Sequence, residues 1–460
     1  MFCAGNCVHR GAEIEDVAIV VDEVSHHPAA QGVPRPDGRR GFWGVVPIGS
    51  REGPRAIEVR AEARLADGTT ASAALGTIAA AERQAPASFA RLPGTGAPLI
   101  AICMTTFNPD LALFRIQVES IRGQTDTGWV CLISDDCSEE DRFEAISEVV
   151  AGDDRFQVSR APERLGFYRN FERVVAMAPR EAELIALSDH DDRWYPDKLQ
   201  ALRAELGDAQ LAYSDARLVD GTGNVRRETL WRGRHPNHTN IASLLVSNTV
   251  PGAACLFRRR VIDRSLPFPD GPGWDFHDHW LALVALALGD VAYVDRPLYD
   301  YVQHPGAVLG RVASEFESGA SAKRPGIRAR IEQRRGFLDG WRSAYFAVYL
   351  QACLQARVLL ARCAAELAPS KRRGLRLLVG ASRSPVALAW LAVRPARALV
   401  GRNETLGVER VMVKGVLWRH LVALRGRTGR ELGAFAGGSG VPSFDPQSVG
   451  PRLRRWLAQR

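Results

Sequence analysis

From Pro98 to Tyr213, short apolar runs alternate with stretches of helical spacing. Leu99–Met104 is followed by Leu111–Gln124, where Leu113, Ile116, Val118 and Ile121 recur as on a helix. Trp129–Ile133 precedes Arg142–Val150, Phe156–Ser159 precedes Phe171–Met177, and Leu184–Leu187 and Gln210–Tyr213 are again short and apolar. Parallel strands need long crossovers, so this alternation predicts βαβ units in an open, mostly parallel sheet. Ligands of such sheets bind outside the carboxyl ends of the strands.

The acidic residues fall at those ends. Trp129–Ile133 runs into Ser134-Asp135-Asp136, Leu184–Leu187 into Ser188-Asp189-His190-Asp191-Asp192, and Leu211–Tyr213 into Ser214-Asp215. Carboxylates gathered in a partly dry cleft repel one another. A divalent cation removes that conflict, and the oxygen donors suit Mg²⁺ or Mn²⁺, which also takes phosphate oxygens from a substrate. For Asp135 or Asp215 alone, capping of the next helix is an equal explanation; for Asp189–Asp192 it is not.

The flanks differ from this centre. Residues 12–82 alternate like strands, with β-rich Val17–Val21, Gly41–Ile48 and Ala56–Leu65 between turn signals, and predict a small β-sandwich. Arg91–Pro98 reads as a linker. From about Arg328 the chain reads as helix. Residues 321–460 carry 27 Lys+Arg against 7 Asp+Glu, although the whole chain is only +8, so the rest is acidic. A basic tail of this kind meets phosphate, in nucleic acid or at an anionic membrane surface. Arg410–Leu424 suits an interfacial amphipathic helix or one member of a helical bundle. The expected division is 1–95, 96–315 and 316–460. Met1–Gly11 has no apolar core of a secretory signal, and no apolar run reaches about 18 residues. The eight cysteines form no C-x-x-C pair, and Cys3 and Cys7 have no partners at zinc spacing. The expected location is cytoplasmic, peripheral at the inner face of the plasma membrane.

Ser188–Leu199 (SDHDDRWYPDKL) resembles the D-x-D-D-x-W-x-x-x-K-L segment of family 2 glycosyltransferases, in particular the rhamnosyltransferase-like branch. Further segments agree in order: Thr106-Phe107-Asn108, Ser120-Ile121-x-x-Gln124, Ile133–Ser138, Leu165-Gly166 with Asn170-Phe171, Pro251–Arg259, His277-Asp278-His279-Trp280 and Pro297–His304. The resemblance covers about residues 98–310. It implies a GT-A fold and transfer of a sugar from a nucleotide donor with inversion. It further implies a nucleotide-sugar pocket at Thr106, Phe107, Asn108, Asp135, Asp136, Gly166, Asn170, Asp189 and Asp192, and a metal held by Asp189, Asp191 and His304. By the same resemblance Asp278 is the catalytic base, with Asp275 its competitor, and Trp194 and Trp280 are either walls for the acceptor sugar or core residues. The implied partners are dTDP-rhamnose or a UDP-sugar, a glycan or lipid-linked acceptor, and no nucleic acid. The chain departs from the family pattern at Phe107 for Tyr, Arg164 for Asn, Val302 for Arg and Ala307 for Asn. The N-terminal region, through Arg35-Pro36-Asp37 and Gly41–Gly44, resembles accessory sandwiches of some family members, where Phe42 or Trp43 could meet a glycan.

Two other classes compete. A nucleotidyltransferase would need a Gly-rich, Lys- or Arg-bearing loop after the first strand, and Thr105–Asp110 has no such glycines or Lys. A non-catalytic glycan- or membrane-binding protein would have no use for Asp189, Asp191 and Asp278 together.

Overall fold

The computed structural model describes residues 2–27, 30–31, 40–46, 56–79, 86–89, 98–231, 234–269, 276–304 and 340–427. The expectations for Arg35–Asp37, most of the linker, Asp275, Ala307 and the chain beyond Arg427 lie outside these residues, as does the side chain of Trp43.

The N-terminal strands are β1 (Phe2–Cys7), β2 (Ile14–Val21), β3 (Val24–His26), β4 (Ala30–Gln31), β5 (Arg40–Val45), β6 (Ala56–Leu65) and β7 (Thr70–Ala79). They form two antiparallel sheets, β1-β5-β4 and β3-β2-β6-β7. One cluster joins them: Phe42 from β5 and Val46 just after it pack with Val17, Ile19, Ile57 and Val59. Phe42 is therefore a core residue and presents no ring to a glycan, in line with packing rather than glycan contact as the use of this ring.

The central part follows as β8 (Leu99–Thr106), α1 (Leu111–Arg122), β9 (Trp129–Asp135), α2 (Glu140–Val150), β10 (Phe156–Arg160), α3 (Phe167–Ala176), β11 (Ala182–Ser188), β12 (Arg193–Trp194), α4 (Lys198–Leu206), β13 (Leu211–Asp220), β14 (Val225–Arg227), α5 (Ile241–Val246), β15 (Cys255–Arg258), α6 (Arg259–Ser265), α7 (His277–Leu288) and β16 (Val291–Gln303). The sheet order is β10-β9-β8-β11-β15-β13-β16-β12, with β14 beside β13. Neighbours from β10 to β11 are parallel, as are β13 and β16, while β15 and β12 run the other way. Every residue of β8 and β9 is buried. Strands covered on both faces need unbroken apolar runs, which is why these segments do not alternate. The fold is thus a mixed α/β arrangement around a mostly parallel sheet, with a helical C-terminal region, as the strand–helix alternation implied.

One helix face differs from expectation. In α1 the buried residues are Phe114, Gln117, Val118 and Ile121, and Ile116 is 45% exposed. Polar Gln117 takes a core position because it hydrogen-bonds Ser188 at the end of β11, which apolar spacing alone does not reveal.

The described C-terminal helices are α8 (Leu350–Arg362), entered through a π-turn at Tyr345–Tyr349, then α9 (Pro369–Gly380), α10 (Pro385–Val393) and α11 (Val408–Arg427). Tyr349, Ala356, Leu375, Leu391 and Met412 belong to the same hydrophobic core as the central sheet. Gly340–Arg362 is long and apolar enough to cross a membrane by length and composition (23 residues, mean hydropathy 1.3). However, 56% of that window is buried in the fold, as in a core helix. Val411, Met412 and Val416 on α11 are also buried, and a Cβ at Gly415 would meet the Tyr345 backbone at 2.5 Å. The inner face of α11 thus packs on protein, leaving Leu417 and Leu421 outside.

Candidate active site

The loops after β8 and β9 are braced by the carboxylates assigned to the nucleotide. Asp135 is fully buried. It accepts from Thr106 Oγ1 (3.0 Å), the Ser138 amide (2.8 Å) and Ser138 Oγ. Asp136 accepts the amides of Leu165 (2.6 Å) and Gly166 (2.9 Å), which holds Gly166 in a left-handed conformation at φ 80° just before α3. Asn170 is buried and exchanges hydrogen bonds with Ser134. The polar atoms of Thr106, Asp135, Asp136 and Asn170 are thus engaged within the protein. Phe107 and Asn108 are more open. Arg164 lies over the Phe107 ring at 3.7 Å from its centroid, so two departures from the family pattern touch each other. Asn108, at φ 41°, accepts the Glu139 amide at 3.0 Å and donates its own amide to Ser138 Oγ at 2.8 Å.

The turn after β11 carries the acidic run. Asp192 is 1% exposed; Oδ1 accepts the Val302 amide at 3.3 Å, and Oδ2 is buried with no partner among the described residues. Asp191 is bonded to His304 Nε2 at 2.7 Å, and His190 Nδ1 lies 3.1 Å from the Thr105 carbonyl. Lys198, fully buried, bonds the Ala253 carbonyl and lies 3.7 Å from the centroid of the Trp194 ring. Burial pushes the Asp189 carboxyl up, and the charges of Asp191 and Asp278 push it further; Lys198 opposes them. Asp192 is raised by burial and by Asp191 and Asp189. For Asp191, burial is outweighed by the His304 hydrogen bond and the neighbouring imidazoles, which hold it below the usual range. Burial pulls the Lys198 ammonium down to about 7, against the pull of Asp192.

These donors bear on a divalent cation. The unpartnered Asp192 oxygen and the raised Asp189 are sites where positive charge would be favourable. Among the described residues no three His, Cys, Asp or Glu side chains gather as a ready cage. A cation here would use Asp189, Asp191 and His304 in part and take further ligands from a substrate, a habit of Mg²⁺.

Asp278 lies at the start of α7. Burial raises its carboxyl to about 6, partly offset by hydrogen bonds from the His279 and Gly252 amides and the Asn248 side chain. The flanking histidines belong to the core. His277 stacks on Phe171 at 3.6 Å between centroids, and burial lowers it to about 3. His279 Nε2 lies 2.7 Å from the Leu244 carbonyl, and burial lowers it to about 4. A Cβ at Gly252 would come within 3.0 Å of His277 Nε2 and 3.2 Å of Asp278 Cβ, so this glycine permits the close seating of the acid.

Three expectations change. Trp194 is 2% exposed, with its indole N–H directed at Gln117 Oε1 (3.1 Å); Trp280 is 1% exposed and donates to the Ser265 carbonyl at 3.0 Å. Both are core residues, and neither offers a face to an acceptor sugar. The exposed rings near Asp278 are Phe167 (37%) and Phe276 (41%), 6.1 Å apart. No motif drew attention to them, though Phe276 stands two residues before the acid. Finally, Asp215 is inside β13 rather than at its end. It accepts the Leu230 amide at 3.0 Å and the Thr229 hydroxyl, bracing that segment.

The uncharacterized protein y4gI of Sinorhizobium fredii (strain NBRC 101917 / NGR234) is 31% identical over 136 residues, which are 27% of this chain and 14% of that relative. The chain therefore spans a small part of the curated relative it matches. Among solved structures, S. aureus TarS 1-349 in complex with UDP-GlcNAc aligns over 73% of this chain and 93% of its own, at 14% identity and TM-score 0.42. Mannosyltransferase PcManGT from Pyrobaculum calidifontis, in complex with GDP-Man and Mn²⁺, aligns over 75% and 92%, at 15% identity and TM-score 0.40. Residues 101–266, which hold the Asp189–Asp192 turn and end short of Asp278 and His304, match the family described as Glycosyl transferase family 2.

Proposed function

We propose that this protein is an inverting glycosyltransferase that moves a sugar from a nucleoside diphosphate donor to a hydroxyl of a glycan or lipid-linked acceptor. The observation that carries this reading is the pairing of two kinds of carboxylate at one end of the sheet. Asp278 is raised to about 6, near the pH at which a general base is most useful, and its charge is felt by Asp189 in the acidic turn.

Each residue has a physical task. An acceptor hydroxyl is a poor nucleophile, and Asp278 takes its proton as attack begins. Phe167 and Phe276 give the sugar an apolar surface beside that carboxylate. Phe107, with Arg164 over its ring, lines the nucleoside end, on a loop held by Asp135 and Asp136. A divalent cation at Asp189, Asp191 and His304 would stabilise negative charge on the departing diphosphate. Holding donor and acceptor in line lowers the entropic part of the barrier. Attack on the face opposite the diphosphate inverts the anomeric centre. Rhamnose from dTDP-rhamnose is the leading donor on the branch resemblance, with UDP-sugars next.

The test is thermal stabilisation by a panel of nucleotide sugars with Mg²⁺ or Mn²⁺, followed by product analysis. A bound donor raises the melting temperature by mass action. A metal-dependent shift with one donor, lost in Asp191→Ala, supports the reading. Turnover unchanged in Asp278→Asn would refute the assigned base.

A further inference from the structure

Residues 369–421 show solvent charge of one sign. Their acidic residues are Glu404 and Glu409, each 2% exposed and paired inside the fold with Arg397 and Arg394. Exposed Arg373, Arg376, Arg402 and Arg410 are therefore not balanced by an exposed acid within this segment; Asp290, from the turn before β16, pairs with Lys371 on α9 at 3.6 Å. Arg373 and Arg376 have no hydrogen bond or ion pair among the described residues. With Arg372 they line a groove of about 480 Å³ between α9 and α10, where Leu377 and Ala387 supply apolar wall.

Beside this groove the surface is aliphatic. Val386 (75% exposed), Ala389 and Val393 (65%) recur at three- and four-residue spacing, so they share one face of α10. The chain continues to Leu399 (86%) and Val400 (78%). Arg394 and Arg397, just before these residues, also bond Ser243 on α5 and so tie the segment to the central part. Exposed aliphatic side chains next to unpaired arginines match the interfacial layer of a bilayer, apolar below and anionic above. A nucleic acid would use the arginines but leave the aliphatic face wet.

We propose that this face docks on an anionic lipid bilayer, with the groove arginines on lipid phosphates and Val386, Val393, Leu399 and Val400 in the acyl boundary. The docking surface is thereby on α9, α10 and the turn after them, rather than on the inner face of α11. The proposal does not rest on the transfer reaction.

The experiment is co-sedimentation of the full chain with vesicles of phosphatidylcholine alone or mixed with phosphatidylglycerol. The expected result is sedimentation with the anionic vesicles, weakening as salt rises. Basic residues near such a surface contribute about 1 kcal/mol each, so R373Q with R376Q is expected to lower partitioning about thirty-fold. L399E with V400E is expected to lower it as well, with the melting temperature and the donor-induced thermal shift unchanged in both variants. Equal binding to neutral vesicles, no vesicle binding, variants that partition like the parent, or binding to duplex DNA in place of vesicles would each overturn the proposal.

Discussion

His304 Nε2 lies 2.7 Å from Asp191 Oδ2, joining the residue after β16 to the turn after β11 across 113 positions of sequence. The hydrogen bond raises the His304 imidazole and steadies the carboxylate. It makes the acidic turn and the end of β16 one unit, at the sheet edge where the donor diphosphate is proposed to lie. Replacing His304 by Ala is expected to weaken Mn²⁺-dependent donor binding by about 10–100-fold, the usual cost of losing a residue that holds a metal or orients its ligand. Titration calorimetry with and without chelator checks this.

Asp278 gives the pH dependence. Transfer requires its ionised form, so kcat/KM is expected to fall as pH drops through about 6. Asp278→Asn is expected to reduce turnover by about 10²–10⁴-fold while leaving donor binding intact. The same substitution affects stability in the opposite sense. A carboxyl raised from 3.8 to about 6 in the fold contributes stability that is fully present below about pH 4 and lost as pH rises through about 6. At pH 7.5 the Asn variant is expected to melt higher than the parent, as read by calorimetry.

Gly252→Ala tests the seating of that acid. The new methyl group would press on His277 Nε2 and Asp278 Cβ at 3.0 and 3.2 Å. His277 is pinned on Phe171, so the expected adjustment is at Asp278. A shift of the acid by a fraction of an ångström is expected to lower kcat about tenfold or more, with donor KM little changed.

The aromatic residues separate by role. Trp280→Ala is expected to destabilise the protein by about 3–5 kcal/mol, as a buried large side chain with a bonded indole N–H. Phe276→Ala, at an exposed ring, is expected to change stability by less than about 1 kcal/mol and to raise acceptor KM. Urea denaturation and acceptor kinetics distinguish the two.

Asp136→Ala is expected to act through the loop it holds. It leaves the amides of Leu165 and Gly166 without their acceptor, at a cost of about 1–3 kcal/mol for each one kept from water. The donor-induced thermal shift is expected to shrink because Arg164, one residue earlier, loses its place over Phe107.

By itself the sequence determined the alternation of strand and helix, the apolar runs Leu99–Met104 and Trp129–Ile133 of β8 and β9, and the acidic turn after β11. These are local properties: a strand covered on both faces is apolar over most of its length, and carboxylates follow where it ends. The ordered motifs pointed to Asp278 and His304, whose roles are proposals. Only the tertiary structure decided which polar groups remain free. Asp135, Asp136 and Asn170 are occupied by amides and hydroxyls from distant loops, and Trp194 and Trp280 are covered by elements far along the chain. The burial of Gln117 depends on Ser188, 71 residues away, and the aliphatic face of α10 is exposed because no other element crosses it among the described residues. Hydrogen-bond saturation and burial are sums over neighbours in space, and a pattern along the chain does not contain them.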